Sequence, residues 1–168
     1  KLTAALTDAG YAVEAPEMCW SRPRIFDKPL ADCLKEVDAA VANLKTKGAT
    51  KVVIGGASEG AIAAIDYGAT HSGLVGVIAI APVADPPDAA KYPDFAAAIK
   101  AAQASVKARK GDAPEQFSDL VAGEEVTVNA SANVFLSFHG PQSSIATIRA
   151  VKGKVLPKLA VPLLWIAG

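Results

Sequence analysis

The hydrophobic pattern of the first half of the chain alternates between short continuous runs and helical spacing. Residues 52–54 and 74–82 are continuous apolar runs, which are typical of strands buried in a parallel sheet, and residues 11–15 form a shorter strand candidate. Apolar positions in residues 29–47 recur every three or four residues, which predicts an amphipathic helix, and residues 60–67 form a second, alanine-rich helix. This order of strands and helices predicts an α/β fold with a mostly parallel sheet, flanking helices and right-handed crossovers.

The second half has a less regular pattern. Residues 89–110 are rich in alanine and lysine and predict a helix that ends at Gly111. Residues 126–128 and 134–138 are each compatible with a short strand or an extended packing segment, and residues 143–156 with a short helix. The last apolar run, "VPLLWIAG", predicts another buried strand. We expect one domain over residues 1–168.

Composition and charge exclude several classes of protein. With 168 residues, 51% hydrophobic and 20% charged, the chain is expected to fold around a sizeable core. Its 17 basic residues balance its 17 acidic residues, so nucleic acid is not an expected partner. No apolar run approaches the roughly 20 residues that a membrane-spanning helix needs. The first 16 residues resemble the end of a helix, a turn and a strand, so we expect the chain to begin within a fold.

The turn between the second strand and the second helix carries the candidate chemistry. It reads Gly56-Ala57-Ser58-Glu59-Gly60, which fits the pattern G-x-S-x-G. A serine nucleophile at a sharp strand-to-helix turn needs small residues two positions to either side, because strand and helix approach closely there. The backbone N–H of Glu59 would face the developing oxyanion, and the helix dipole would help to stabilise it. The alternative is a plain glycine-rich turn.

These segments resemble the central part of an α/β-hydrolase. "GYAVEAPE" resembles the strand before the first crossover helix, "KVVIGGASEGAIAA" the nucleophile strand, elbow and helix, and "LVGVIAIAP" the next strand. "LAVPLLWIAG" resembles the strand that leads to the catalytic acid. The resemblance implies a helical cap or lid within residues 83–157, no cofactor and no metal. The chain departs from the common pattern at Ala57, where many members have histidine, and at Glu59, where an apolar residue or glutamine is usual.

A serine nucleophile needs a base and an acid that orients it. The resemblance implies the order serine, acid, histidine, which would place acid and histidine beyond Gly168 and a second oxyanion donor before Lys1. We therefore expect the chain to be part of a longer protein. Within the chain, Asp85 and His139 follow Ser58 in the required order and form the alternative triad. His139 could equally cap a turn or line the cap.

The loop after the first strand holds Trp20, Arg22 and Arg24. Loops at this end of a parallel sheet flank the site, so these residues are candidates for binding a substrate carboxylate or phosphate. The alternative is that the arginines are solvated surface residues.

The two cysteines, Cys19 and Cys33, do not fit the spacing of a zinc motif. They form a disulfide if the protein is exported or periplasmic, and are ordinary thiols if it is cytoplasmic.

Two other functions compete with an esterase-like serine hydrolase. Residues 55–60 also match a degraded G-x-G-x-x-G motif, and Asp85 lies near the position of a ribose-binding acid, which suggests a dinucleotide-binding oxidoreductase. However, a strand and a long helix precede the motif, and its central glycine is replaced by Ala57. The other competitor is a non-catalytic binding or subunit module with the same fold. The sequence predicts a small-molecule acyl substrate but does not identify it, and it does not indicate the oligomeric state.

Overall fold

Three of the predicted apolar runs pair into one parallel sheet. The structure, a computed structural model, describes residues 2–82, 91–121, 124–147 and 150–167, with the side chain of residue 121 excluded. The helices are α1 (Leu2–Asp8), α2 (Leu30–Thr46), α3 (Glu59–Thr70), α4 (Pro93–Lys107) and α5 (Ala132–His139). The strands are β1 (Val53–Ala57), β2 (Gly76–Ile80), β3 (Pro114–Val121), β4 (Glu124–Ser131) and β5 (Leu163–Ile166).

The parallel sheet has the order β1-β2-β5. Its register aligns Val53 with Gly76 and Val77 with Leu163. Helix α3 packs against β1 and β2 on one face of the sheet. On the other face Val53, Leu164 and Ile166 are exposed. The α/β class predicted from the alternation of strands and helices is therefore the class of the fold.

Helix α3 is buried on most of its circumference, which fixes the position of the turn that precedes it. Every residue from Ala61 to Gly68 is buried. Small side chains permit this close packing: a Cβ atom on Gly68 would lie 2.5 Å from Cγ2 of Val77 on the sheet. Since native interiors are close-packed, a helix held this tightly has little freedom to shift relative to the strands.

The structure corrects three of the predicted elements. Residues 11–15 form no strand, because no described strand lies beside them to share backbone hydrogen bonds. Residues 134–138 belong to helix α5, which Ser131 caps by accepting a hydrogen bond from the Val134 amide. Of the helix expected over 143–156, residues 143–147 are not helical, and the described residues after 150 form a π-helical turn, Val151–Val155, followed by a 3₁₀ turn, Leu156–Lys158.

The chain between β2 and β5 contains helix α4, an antiparallel hairpin of β3 and β4, and helix α5. The hairpin pairs Pro114 with Ser131 and Val121 with Glu124. Packed aromatic rings join its elements, with Phe117 stacked on Phe135 at a centroid distance of 4.6 Å. Val126, in the predicted segment 126–128, lies in β4, so a strand there is confirmed. The sequence did not predict strand β3.

A disulfide and an ion-pair network hold the loop of residues 17–28 against helix α2. Cys19 and Cys33 form a disulfide, with their Cα atoms 5.9 Å apart. A bridge that closes a loop of this length contributes roughly 3 kcal/mol of stability. Arg24 lies between Asp27 and Glu36 and also donates to the Glu17 carbonyl oxygen. The cross-link and the network together fix the loop that carries Trp20.

The network predicts a dependence of stability on pH. Hydrogen bonds from Arg24 and then from Lys28 lower the pKa of Glu36 from 4.5 to about 2. A depressed carboxyl pKa stabilises the fold above the unfolded-state value, and this contribution is lost as the pH falls towards 2. We expect Glu36→Gln to lower the Tm by about 2–4 °C at neutral pH, since exposed ion pairs are weak. The difference from wild type should shrink below about pH 4, as thermal unfolding at several pH values would show.

A matched control is Asp32→Asn on the same helix, whose more exposed carboxylate pairs with Lys35. This change should have little effect on the Tm. A Tm difference between wild type and Glu36→Gln that stays constant from neutral pH to pH 3 would contradict the role assigned to Glu36.

Candidate active site

Ser58 lies at the tip of the turn between β1 and α3 and has a left-handed backbone. Its φ and ψ angles are 54° and −123°. A residue with a Cβ atom is rarely found there, and holding one in such a conformation costs about 1–3 kcal/mol. The Ser58 amide donates a hydrogen bond to the Ile80 carbonyl oxygen on the adjacent strand (3.0 Å), and Ser58 is exposed. The strained residue is thus a serine, held by the sheet and accessible to solvent.

Gly56 is required by a close approach, whereas a Cβ atom at Gly60 would make an ordinary van der Waals contact. A Cβ atom at Gly56 would lie 2.1 Å from the carbonyl oxygen of Gly60, which no real packing allows. A Cβ atom at Gly60 would lie 3.4 Å from Nε1 of Trp20. The first contact joins strand to helix across the turn, and the second joins the turn to the loop of residues 17–28. The first glycine of the motif therefore has a steric cause.

The N-terminus of α3 points towards the space in front of Ser58. The carbonyl oxygen of Ser58 accepts hydrogen bonds from the amides of Ala61 (3.0 Å) and Ile62 (3.4 Å), which begin the helix. Glu59 is its first residue and its side chain is half-buried. Amides of the first helical turn point outwards along the axis and carry the positive end of the helix dipole. This arrangement favours a negative charge that develops beside Ser58.

Aromatic side chains form a wall beside the turn. Trp20 is half-buried, next to Gly60, and packs edge-on against Phe138 of α5 with ring centroids 6.5 Å apart. Phe138 in turn contacts Phe26 at 4.8 Å. Trp20 therefore lies beside the turn with its indole partly accessible, and its role in binding a substrate stays a prediction.

The two arginines of the same loop differ. Arg22 is exposed, so its guanidinium is accessible to an anionic ligand. Arg24 donates to both carboxylate oxygens of Glu36, at 2.6 and 2.9 Å, and to both of Asp27 at 2.9 Å. Through these hydrogen bonds, Arg24 holds the loop against helix α2. A substrate-binding role for Arg22 or Arg24 stays a prediction.

His139 forms a buried pair with the carboxylate of Asp119, a residue that no sequence motif indicates. Its Nε2 atom lies 3.4 Å from Oδ1 of Asp119 on β3, and both side chains are buried. The imidazole is also surrounded by phenylalanine rings, including Phe26, Phe95 and Phe135. These contacts make His139 a core residue between α5 and β3.

The alternative triad of Ser58, Asp85 and His139 stays a prediction. Asp85 lies outside the described residues, and the carboxylate beside His139 is that of Asp119. No local pattern could have identified Asp119, because its contact with His139 joins residues on different elements. The described residues contain no group of three or more side chains that could hold a metal ion. Within the described ranges, no helix has the length and apolar character to cross a membrane.

Comparison with known proteins gives two similar folds. No family model and no curated protein matches the chain. It is similar to a monoacylglycerol lipase from Paleococcus ferrophilus, with 16% identity and a TM-score of 0.47, over 84% of this chain and 66% of that one. It is also similar to an Agrobacterium vitis S4 protein provisionally described as a hydrolase, with 16% identity and a TM-score of 0.43. This match covers 86% of this chain and 62% of that one. The chain thus spans less than two thirds of the length of either protein.

Proposed function

We propose that the protein is a serine hydrolase that cleaves an ester or a related acyl bond through an acyl-enzyme on Ser58. The observation that carries the proposal is the left-handed backbone of Ser58, between a strand of the parallel sheet and the N-terminus of a buried helix. Glycine would adopt this conformation without strain, so a serine there has a cost that a plain turn does not need. Strain of this kind is concentrated at functional sites.

The proposed reaction uses groups that the turn positions. The Oγ atom of Ser58 attacks the substrate carbonyl carbon while a histidine takes its proton. The Glu59 amide and the α3 N-terminus stabilise the oxyanion, together with a second donor. The histidine returns the proton to the leaving alcohol, and water then releases the acyl group. The resemblance to α/β-hydrolases supports a histidine and an acid that follow β5, with His139 and Asp85 as the candidates within the chain.

We also propose that residues 83–157 act as the cap. This segment connects β2 and β5, which are direct neighbours in the sheet, so it is an insertion between two adjacent strands. Phe138 of this segment reaches the aromatic wall beside the turn through its contact with Trp20. Such a position would let the segment enclose an acyl substrate. The disulfide supports an exported or periplasmic location, because such bridges persist in oxidising compartments.

The proposed function predicts hydrolysis of short p-nitrophenyl esters above the uncatalysed rate. Release of p-nitrophenol, followed by absorbance, measures this reaction directly. A dinucleotide-binding protein would instead show no hydrolysis and a higher Tm with NAD(H), because a ligand that binds the native state stabilises it. A non-catalytic module would show neither response. Either of these two results would contradict the proposal.

A further inference from the structure

A cavity lies away from Ser58, between the start of α2, the second half of α3 and the segment after α5. Its volume is about 290 Å³. The apolar part of its wall comes from Leu30 and Leu34, and the polar part from Asp66, Gln142, Ser143 and Ser144. One wall of the cavity is therefore apolar, and the other carries a carboxylate and several hydrogen-bonding side chains.

Asp66 is a buried carboxylate that the proposed reaction does not use. Only 6% of its surface is exposed. Its Oδ1 atom accepts a hydrogen bond from the Ser144 hydroxyl (2.9 Å), and Oδ2 receives none from the described residues. No cation in the described part of the chain forms an ion pair with it. The pKa of Asp66 is raised above its ordinary value, chiefly by burial, and the Ser144 hydrogen bond and the charges of His71 and Lys158 offset only part of this rise.

The hydrogen bond from Ser144 alone does not satisfy an ionised Asp66 carboxylate. Burying a charge without a partner is unfavourable, and a carboxylate can accept several hydrogen bonds. A hydrogen-bond donor that carries a positive charge would satisfy the second oxygen and offset the cost of burial. His71 and Lys158 act on Asp66 through their charges, and neither forms an ion pair with it.

We propose that this cavity binds a small primary alkylammonium ion. The ammonium group donates hydrogen bonds to Asp66, with the Gln142 side-chain oxygen at the rim as a further acceptor. The alkyl chain packs against Leu30 and Leu34. The site is independent of Ser58 and of hydrolysis. A ligand of this size is expected to reach about millimolar affinity.

The test is an NMR titration of the full chain with n-butylammonium chloride, using backbone amide shifts. We expect saturable shifts around Leu34, Asp66 and Ser144. n-Butanol, which has the same alkyl chain without the charge, should bind at least about tenfold more weakly, since the charge-assisted hydrogen bond is lost. Because the ion binds the ionised carboxylate, affinity should fall as the pH is lowered through the pKa of Asp66.

Variants separate this site from non-specific binding of cations. Asp66→Asn should weaken binding at least about tenfold. Asp38→Asn, which changes a more exposed carboxylate lining a neighbouring groove, should leave it unchanged. Ser144→Ala provides a second test, by a smaller loss, if Asp66→Asn does not fold. Absence of saturable shifts in wild type, equal binding of n-butanol, or a loss in Asp38→Asn as large as that in Asp66→Asn would overturn the proposal.

Discussion

Replacement of Ser58 by alanine is expected to reduce ester hydrolysis by at least about 10³-fold, to the background rate. The reason is that no other group at the turn can form the acyl-enzyme. The Ser58→Ala variant keeps the strained backbone and the packing of α3, so its Tm should stay close to that of wild type. Initial rates with a p-nitrophenyl ester, together with thermal unfolding, measure both effects.

Two further variants sharpen this test. Ser58→Gly should be equally inactive but more stable than Ser58→Ala by about 1 kcal/mol or more, because glycine adopts the left-handed conformation without strain. Ser72→Ala, which changes an exposed serine after the C-terminus of α3, should keep full activity. Substantial hydrolysis by Ser58→Ala would show that Ser58 is not the nucleophile.

Replacement of Gly56 by alanine is expected to destabilise the fold by about 3 kcal/mol or more and to abolish activity. The new methyl group would lie 2.1 Å from the Gly60 carbonyl oxygen, which is a backbone atom and cannot rotate away. Helix α3 would have to move from the sheet, although it is packed there along most of its length. We expect a decrease in Tm of about 6 °C or more, measured by thermal unfolding.

The matched control for Gly56→Ala is Gly153→Ala. Among the described residues, no atom lies within 4 Å of a Cβ atom placed at Gly153, so this variant should not lower the Tm. A Gly56→Ala protein with native stability and activity would show that the strand and helix are not in the close contact described.

The strands of the parallel sheet and the helices α2 and α3 were predictable because each has a local hydrophobic pattern. The burial predicted for β1 and β5 is wrong, because one face of the sheet is exposed at Val53, Leu164 and Ile166. Strand β3 was not predictable, because its inward positions include Asp119 beside Phe117. A charged residue at a buried position hides the alternation that indicates a strand. Asp119 is buried there because His139 lies beside it, and His139 belongs to another element.

In the candidate site, too, the features set by neighbouring residues were predictable and the contacts between distant residues were not. The turn at Ser58 is encoded by five consecutive residues, and both its left-handed backbone and the close approach at Gly56 agree with the motif. The contact of Trp20 with Gly60 joins residues that are distant in the sequence. The loop position alone suggested that Trp20 lies near the site, whereas only the structure shows which atoms meet. Arg24 lies in the same loop. Its ion pairs with Asp27 and Glu36 were not evident from the sequence.

The most direct measurement of the central claim is to treat the protein with a fluorophosphonate and map the modified residue by peptide mass spectrometry. Such probes bond to serines that are activated as nucleophiles. We expect one phosphonyl group per chain, located on Ser58, and no labelling of Ser58→Ala or of heat-unfolded wild type. A protein that stays unlabelled while folded, or that is labelled equally when Ser58 is absent, would contradict the assignment of Ser58 as the nucleophile.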